Sequence, residues 1–136
     1  MRVGKRADGG ECLSIRPRVL VADDYPDIVK AVCRSLAVEC DVVGTVSDGG
    51  ALLDAVQRLQ PDVIVLDLNL PNVHALTACR QITRINPAMK VIIFSAMSEQ
   101  AVTDASLAAG ATAFVSKLGS GEDLLSVITR LCIDRD

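Results

Sequence analysis

Acidic, hydroxyl and ammonium side chains each follow a short apolar run in this sequence. The run VLVA precedes Asp23 and Asp24, VIVL precedes Asp67, VIIF precedes Ser95, and AFVS precedes Lys117. Taken singly, each of these polar residues has an ordinary explanation as a turn or helix-capping residue. Because the same pattern recurs along the chain, we interpret these residues as parts of one site.

The three carboxylates of such a site need a cation. Two carboxylates ~4 Å apart repel each other by on the order of 4 kcal/mol at an effective dielectric constant near 20. Asp23, Asp24 and Asp67 therefore cannot all stay ionised beside a single lysine unless protons or a metal ion intervene. A set of oxygen ligands without histidine or thiolate favours Mg²⁺ over Zn²⁺. A carboxylate nucleophile, a metal, one ammonium group and one hydroxyl together indicate phosphoryl chemistry.

The elements that must position these residues alternate strictly between strand and helix. Apolar runs predict strands at 19–22, 41–46, 62–68, 90–96 and 112–117, and helical spacing predicts helices at 27–36, 50–60, 75–85, 98–110 and 120–133. Such alternation predicts an α/β fold, a doubly wound parallel sheet with helices on both faces. The carboxyl ends of parallel strands share one edge, and in these sheets the site lies where the strand order reverses.

Composition narrows the possible functions. Half of the 136 residues are apolar and only 2% are aromatic, which suits a sheet core of Val, Leu, Ile and Ala. The net charge of −3 argues against nucleic-acid binding by this chain alone. The five cysteines form no C-x-x-C pair, which is typical of free thiols in a reducing cytoplasm.

No apolar run approaches the ~18 residues of a membrane span, so we expect a soluble, cytoplasmic protein without membrane contact. Residues 1–17 lack apolar periodicity and are predicted to form a disordered tail before a domain at 18–134.

Four segments in order resemble the CheY-like receiver domain of two-component response regulators. They are VLVADD at 19–24, VIVLDLNLP at 63–71, VIIFSA at 91–96 and GATAFVSK at 110–117, and their separations also fit. The resemblance implies a flavodoxin-like sheet of five strands in the order 2-1-3-4-5 with five helices. It also implies a phosphoacceptor protein that catalyses only its own phosphorylation and dephosphorylation.

The resemblance assigns the site residues as follows. Asp67 would accept a phosphoryl group from the phosphohistidine of a sensor histidine kinase. Asp23, Asp24, Asp67 and the backbone carbonyl of Asn69 would hold Mg²⁺.

The remaining site residues would bind the phosphoryl group and transmit its arrival. Lys117 would pair with Asp67 and then with phosphoryl oxygens, and Ser95 would donate its hydroxyl to one of them. Phe114 occupies the position of the family's aromatic switch residue. The face formed by the fourth helix, fifth strand and fifth helix, roughly 98–131, would then change shape and could support a phosphorylation-dependent homodimer.

Two local segments of the sequence, after Lys117 and after Pro71, add to what the resemblance implies. Leu118 and the following GSGEDLLSVI are similar to receivers fused to LuxR-type helix-turn-helix output domains. We therefore expect control of transcription, with DNA contacted only through an output domain that these residues do not contain. The loop after Pro71 carries His74 and Ala75 where the family usually has an acidic or amide residue and then glycine. A positive φ at Ala75 would be strained, and His74 is predicted to be an exposed loop residue.

Three other kinds of protein share parts of this sequence pattern. A haloacid-dehalogenase-type phosphatase needs a second aspartate two residues after the first, where this chain has Asn69. A flavodoxin-like cofactor binder needs a phosphate-binding loop after the first strand, and the DDYPD of residues 23–27 would repel a phosphate. A receiver-like interaction module that is not phosphorylated stays open because of the loop at His74 and Ala75.

Overall fold

The chain folds into one parallel sheet flanked by helices. The computed structural model describes residues 16–97, 99–117 and 124–134. The strands are β1 (Arg18–Ala22), β2 (Asp41–Val46), β3 (Val63–Asp67), β4 (Lys90–Ser95) and β5 (Ala113–Ser116). The helices are α1 (Pro26–Leu36), α2 (Gly49–Leu59), α3 (Ala75–Ile85), α4 (Gln100–Ala108) and α5 (Leu124–Asp134). All neighbouring strands are parallel, in the order β2-β1-β3-β4-β5, which confirms the predicted fold.

The core consists of two apolar layers, one on each face of the sheet. Strand β3 lies at the centre and is buried along its whole length. Alternate residues of the strands face α1 and α5 on one side, where Leu36 and Ile128 are fully buried. On the other side they face α2 and α3, where Leu52 and Ile82 are buried. Near-continuous apolar strands are required because both faces of the sheet are covered.

Helix ends follow local chemistry, and the fourth helix is shorter than predicted. Asp48 caps α2 by accepting hydrogen bonds from the N–H groups of Gly50 and Ala51, at 2.8 and 3.2 Å.

Helix α4 runs from Gln100 to Ala108, whereas the sequence predicted 98–110. The chain leaves α4 through Gly110, whose φ of +104° suits a residue without a Cβ. The first residues of the helix predicted at 120–133 lie outside the described residues, which resume at Leu124.

The N-terminal end of the described chain is bound to the domain. The Arg16 guanidinium donates to the carbonyls of Ala37 and Cys40, at 2.8 and 3.0 Å, and pairs with Asp41 at 3.0 Å. The Pro17 carbonyl accepts a hydrogen bond from the Asp41 N–H. Sequence pattern had placed Arg16 and Pro17 in the tail, and residues 1–15 of that tail lie outside the described residues. Within the part of the chain that the structure describes, no helix is long and apolar enough to cross a membrane.

Candidate functional site

Three carboxylates meet at the carboxyl edge of the sheet, beside the point where the strand order reverses. Asp23 follows β1, Asp67 ends β3, and Asp24 comes next after Asp23. Each offers one carboxylate oxygen, and these oxygens lie within 4.8 Å of one another. Asp23 and Asp67 are buried, while Asp24 is exposed. Parallel pairing of β1 with β3 produces this arrangement, because it brings residues 44 positions apart in the chain to the same edge.

Lys117 supplies the positive charge of the site. Its Nζ lies 2.7 Å from Oδ2 of Asp23 and 3.4 Å from Oδ1 of Asp67. The Lys117 side chain is only 15% exposed, so solvent screens these ion pairs weakly. Its backbone is fixed as well, since the Lys117 N–H donates to the Ser95 carbonyl at 2.8 Å. One ammonium group therefore serves two buried carboxylates.

The Asp67 carboxyl keeps a proton more readily than an ordinary aspartate. Burial raises its pKa above the ordinary value of 3.8, and the Asp23 carboxylate adds to this rise. The Asn69 N–H, which donates to Oδ1 at 3.1 Å, and the Lys117 ammonium act in the opposite direction. The net rise shows that the neighbouring donors and cation do not fully offset burial.

Asp23 has one oxygen that suits a cation. Its Oδ1 accepts the Tyr25 N–H at 2.9 Å. Its Oδ2 is buried, accepts no hydrogen bond and forms an ion pair with the Lys117 ammonium group at 2.7 Å. A buried carboxylate oxygen with unused lone pairs, next to two further carboxylates, fits a hard divalent cation such as Mg²⁺. The oxygen-only donor set and one exposed ligand, Asp24, also match the retained waters that Mg²⁺ prefers.

The predicted switch residues Ser95 and Phe114 lie on β4 and β5, and the predicted metal ligand Asn69 lies in the loop after β3. Ser95 ends β4 and is fully buried, and its Oγ accepts the Met97 N–H at 3.0 Å, so the hydroxyl is engaged with its own loop. Phe114 on β5 is partly buried and packs against the core layer beneath α2 and α3. Asn69 is exposed, and its N–H binds Asp67.

The loop after Asp67 resolves the question raised by His74 and Ala75. Ala75 is the first residue of α3, and the left-handed φ of +65° falls on Asn72, a residue type that tolerates it. His74 is exposed, as predicted, and its Nδ1 accepts the Thr77 N–H at 3.4 Å as the cap of α3. Ala75 is therefore not strained.

Sequence reasoning did not select Phe94, although this residue lies at the site. Phe94 pairs with Asp67 in the β3–β4 register, and the Lys117 Nζ lies 5.5 Å from the centroid of its ring. Its position immediately before Ser95, in a chain with only two phenylalanines, was the one sequence feature that could have pointed to it. When the register of β3 and β4 is unknown, position 94 is indistinguishable from the apolar core positions of the same strand.

Comparison with known proteins identifies relatives over most of the chain. The sequence profile of the family described as response regulator receiver domain matches residues 19–129. Chemotaxis protein CheY of Thermotoga maritima is 28% identical over 74% of this chain and 84% of its own length. The "probable transcriptional regulatory protein TcrX" of Mycobacterium tuberculosis is 34% identical over 89% of this chain and 50% of its own length. A protein-glutamate methylesterase/protein-glutamine glutaminase of Cereibacter sphaeroides is 31% identical over 97% of this chain, which spans 38% of that protein. The chain thus spans half or less of two of these relatives.

Solved structures with the same architecture include receivers of the LuxR class. The isolated REC domain of RcsB from Salmonella enterica superposes with a TM-score of 0.81 at 26% identity, covering 88% of this chain and 90% of that one. A LuxR-family response regulator from Aurantimonas sp. gives a TM-score of 0.82 at 24% identity, covering 88% of this chain and 87% of that one, and shows the shared fold.

Proposed function

The chain belongs to the response regulator receiver domain family, and from this premise we propose that Asp67 accepts a phosphoryl group from a sensor histidine kinase. The observation that carries the proposal is the pairing of a buried carboxylate with one shared ammonium group and two further carboxylates at the strand-order reversal. A structural ion pair alone would not need three carboxylates around one lysine.

The transfer would use the oxygen of Asp67 that the site leaves available. Oδ1 faces the Asn69 N–H and the Lys117 ammonium, so Oδ2 is the better-placed nucleophile. It forms a bond to phosphorus while the phosphorus–nitrogen bond of the kinase phosphohistidine breaks, and the electron pair leaves with the imidazole nitrogen. Lys117 then moves from the carboxylate to a phosphoryl oxygen, since it already lies within reach of both carboxylates.

Mg²⁺ would be held by Asp23, Asp24, Asp67 and the backbone carbonyl of Asn69. When bound, it neutralises charge on the transferring phosphoryl group. Asp23 would contribute a buried carboxylate whose Oδ2 accepts no hydrogen bond.

Phosphorylation would act through Ser95 and Phe114. The Ser95 hydroxyl exchanges its contact with the Met97 N–H for a donated hydrogen bond to a phosphoryl oxygen, which draws the β4–α4 loop toward Asp67. Phe114 then moves further into the space beneath this loop. The α4–β5–α5 face changes as a result, and a phosphorylation-dependent homodimer through this face is part of the proposal.

The output would be control of transcription in the cytoplasm. Support comes from TcrX, named as a transcriptional regulatory protein, of which this chain spans half the length. DNA would be contacted through a separate output domain, since the chain has a net charge of −3. An esterase activity is not part of the proposal, because this chain spans only 38% of the Cereibacter sphaeroides protein named as a methylesterase. The receiver itself would catalyse only its own phosphorylation and dephosphorylation.

Incubation with acetyl phosphate and Mg²⁺, followed by intact-mass measurement, tests the proposal. We expect one added phosphoryl group in the wild-type protein and in Asp54→Asn, an exposed aspartate of α2 chosen as the matched control. Asp67→Asn should add none. A wild-type protein that gains no mass under these conditions would instead be the interaction module that is not phosphorylated.

A further inference from the structure

Lys117 reaches its carboxylate partners by passing over the end of a strand. It follows β5, whereas Asp67 ends β3 and Asp23 follows β1. Strand β4 lies between β5 and β3 in the sheet. The contacts at 2.7 and 3.4 Å therefore require the lysine side chain to extend across β4.

The residue beneath this crossing is Phe94. Its position on β4 pairs with Asp67 on β3 and with Val115 on β5, so these side chains share one face of the sheet. The Lys117 Nζ lies 5.5 Å from the ring centroid. Phe94 is partly buried and packs against the core layer of α1 and α5, which fixes the ring in place.

An aromatic ring has two properties that suit this position. Its face carries negative electrostatic potential and attracts an ammonium group within about 6 Å of the centroid. The ring also accepts no conventional hydrogen bond, so the three N–H groups of the lysine stay available for oxygen atoms. A polar residue here would compete with Asp67 and Asp23 for the ammonium group, and an aliphatic residue would leave it on an apolar surface.

We propose that Phe94 is a positioning residue, whose ring holds the Lys117 ammonium group over the end of β4 and in contact with Asp67 and Asp23. The second half of the inference rests on the proposed function: the same support aims Lys117 at the incoming phosphoryl group.

A double-mutant cycle in urea tests the contact without any phosphorylation. We expect Phe94→Leu and Lys117→Met to be coupled by a factor of about 2 to 30 in the unfolding equilibrium constant at pH 7. The matched cycle replaces Lys117→Met with Lys30→Met, a change at an exposed position of α1, and should show a coupling factor near one.

Fluorinated phenylalanines incorporated at position 94 separate the electrostatic effect from packing. Ring size changes little along such a series, while each fluorine withdraws electron density from the ring face. We expect the initial rate of phosphoryl uptake from acetyl phosphate to fall stepwise with fluorine number. Phe94→Leu should lower this rate by roughly 2- to 10-fold, and Phe94→Tyr should keep it within about 2-fold of wild type.

The two measurements distinguish failure of this inference from failure of the proposed function. A coupling factor near one between Phe94→Leu and Lys117→Met overturns the inference, whatever the phosphorylation data show. Coupling together with a flat rate series overturns the role of Phe94 in aiming Lys117. A wild-type protein that takes up no phosphoryl group refutes the proposed function, while the coupling factor still decides whether the ring holds the lysine.

Discussion

Replacing Lys117 with methionine removes the positive charge of the site while keeping an unbranched side chain over Phe94. Coulomb's law at an effective dielectric constant of 20 gives an attraction of ~6 kcal/mol at the 2.7 Å contact and ~5 kcal/mol at the 3.4 Å contact. Removing one partner of a buried ion pair costs about 3–5 kcal/mol in practice, because relaxation and water reduce the Coulomb value.

Proton uptake reduces this electrostatic cost in the variant. When the lysine is gone, one carboxyl of the Asp23–Asp67 pair escapes the repulsion by taking up a proton. From an ordinary pKa of 3.8, this costs about 4.4 kcal/mol at pH 7 and about 1.6 kcal/mol at pH 5. We therefore expect Lys117→Met to lower the free energy of unfolding by about 3–4 kcal/mol at pH 7 and by clearly less at pH 5, where proton uptake is cheaper.

The assay is urea unfolding followed by circular dichroism in EDTA, from pH 5 to pH 8. Lys30→Met, at an exposed position of α1, is the matched control and should change stability by no more than about 0.5 kcal/mol. A loss that is the same at pH 5 and pH 7 would refute the electrostatic reasoning, since packing effects do not follow proton uptake. A loss no larger than that of the control would show that the ion pairs contribute nothing to stability.

The remaining predictions concern the same site and its supports. Asp67→Asn should raise the free energy of unfolding at pH 7, because burial raises the pKa of this carboxyl and the folded state therefore disfavours its ionised form. In a urea-unfolding series this gain should shrink as the pH falls through the raised pKa and disappear below the ordinary value of 3.8. Mg²⁺ at ten times its dissociation constant should stabilise the fold by ~1.4 kcal/mol and raise Tm by about 4–7 °C in calorimetry, whereas Na⁺ at equal ionic strength should not. Gly49→Ala should cost about 1–3 kcal/mol in urea unfolding, because a Cβ there would overlap the Val73 side chain, and Gly50→Ala in the same helix turn should cost much less. Cys40 should resist iodoacetamide at pH 8 until the protein unfolds, because burial raises its pKa to about 11; labelling of the native protein, seen by peptide mass mapping, would contradict this.

The sequence predicted the fold and the carboxylate cluster for the same reason. A strand that is buried on both faces consists almost entirely of apolar residues, so it is visible in the sequence as an apolar run. The polar residue at the end of each run must then lie at the carboxyl edge of the sheet. The pattern therefore placed Asp23 and Asp67 at the same edge of the sheet, and the strand order implied by the family resemblance placed them beside each other. Helix α4 was predicted too long because its alanines carry little amphipathic signal, and only Gly110 marked its end clearly.

The sequence pattern could not predict contacts that depend on strand register or on the direction of a side chain. Phe94 and Asp67 are 27 positions apart, and only the β3–β4 register shows that they are neighbours. Arg16 gave no periodic signal, yet its guanidinium binds the carbonyls that follow α1. The Ser95 hydroxyl was predicted at the site, but nothing in its neighbours indicated that Met97 holds it in the β4–α4 loop.

The charge balance of the site explains why such a cluster responds to its ligands. Three carboxylates and one ammonium group leave an excess of negative charge, and burial, the main cause of the raised pKa of Asp67, adds to the cost of keeping that charge in the site. A divalent cation lowers this cost, so its binding stabilises the folded state. In the proposed function, a phosphoryl group would add negative charge at Asp67, and Lys117 and the cation would share it. The Lys117 N–H donates to the Ser95 carbonyl, so the backbone that carries the lysine is bound to the end of β4. In the proposed function, this hydrogen bond would be one route by which a change at Asp67 and Lys117 reaches the β4–α4 loop.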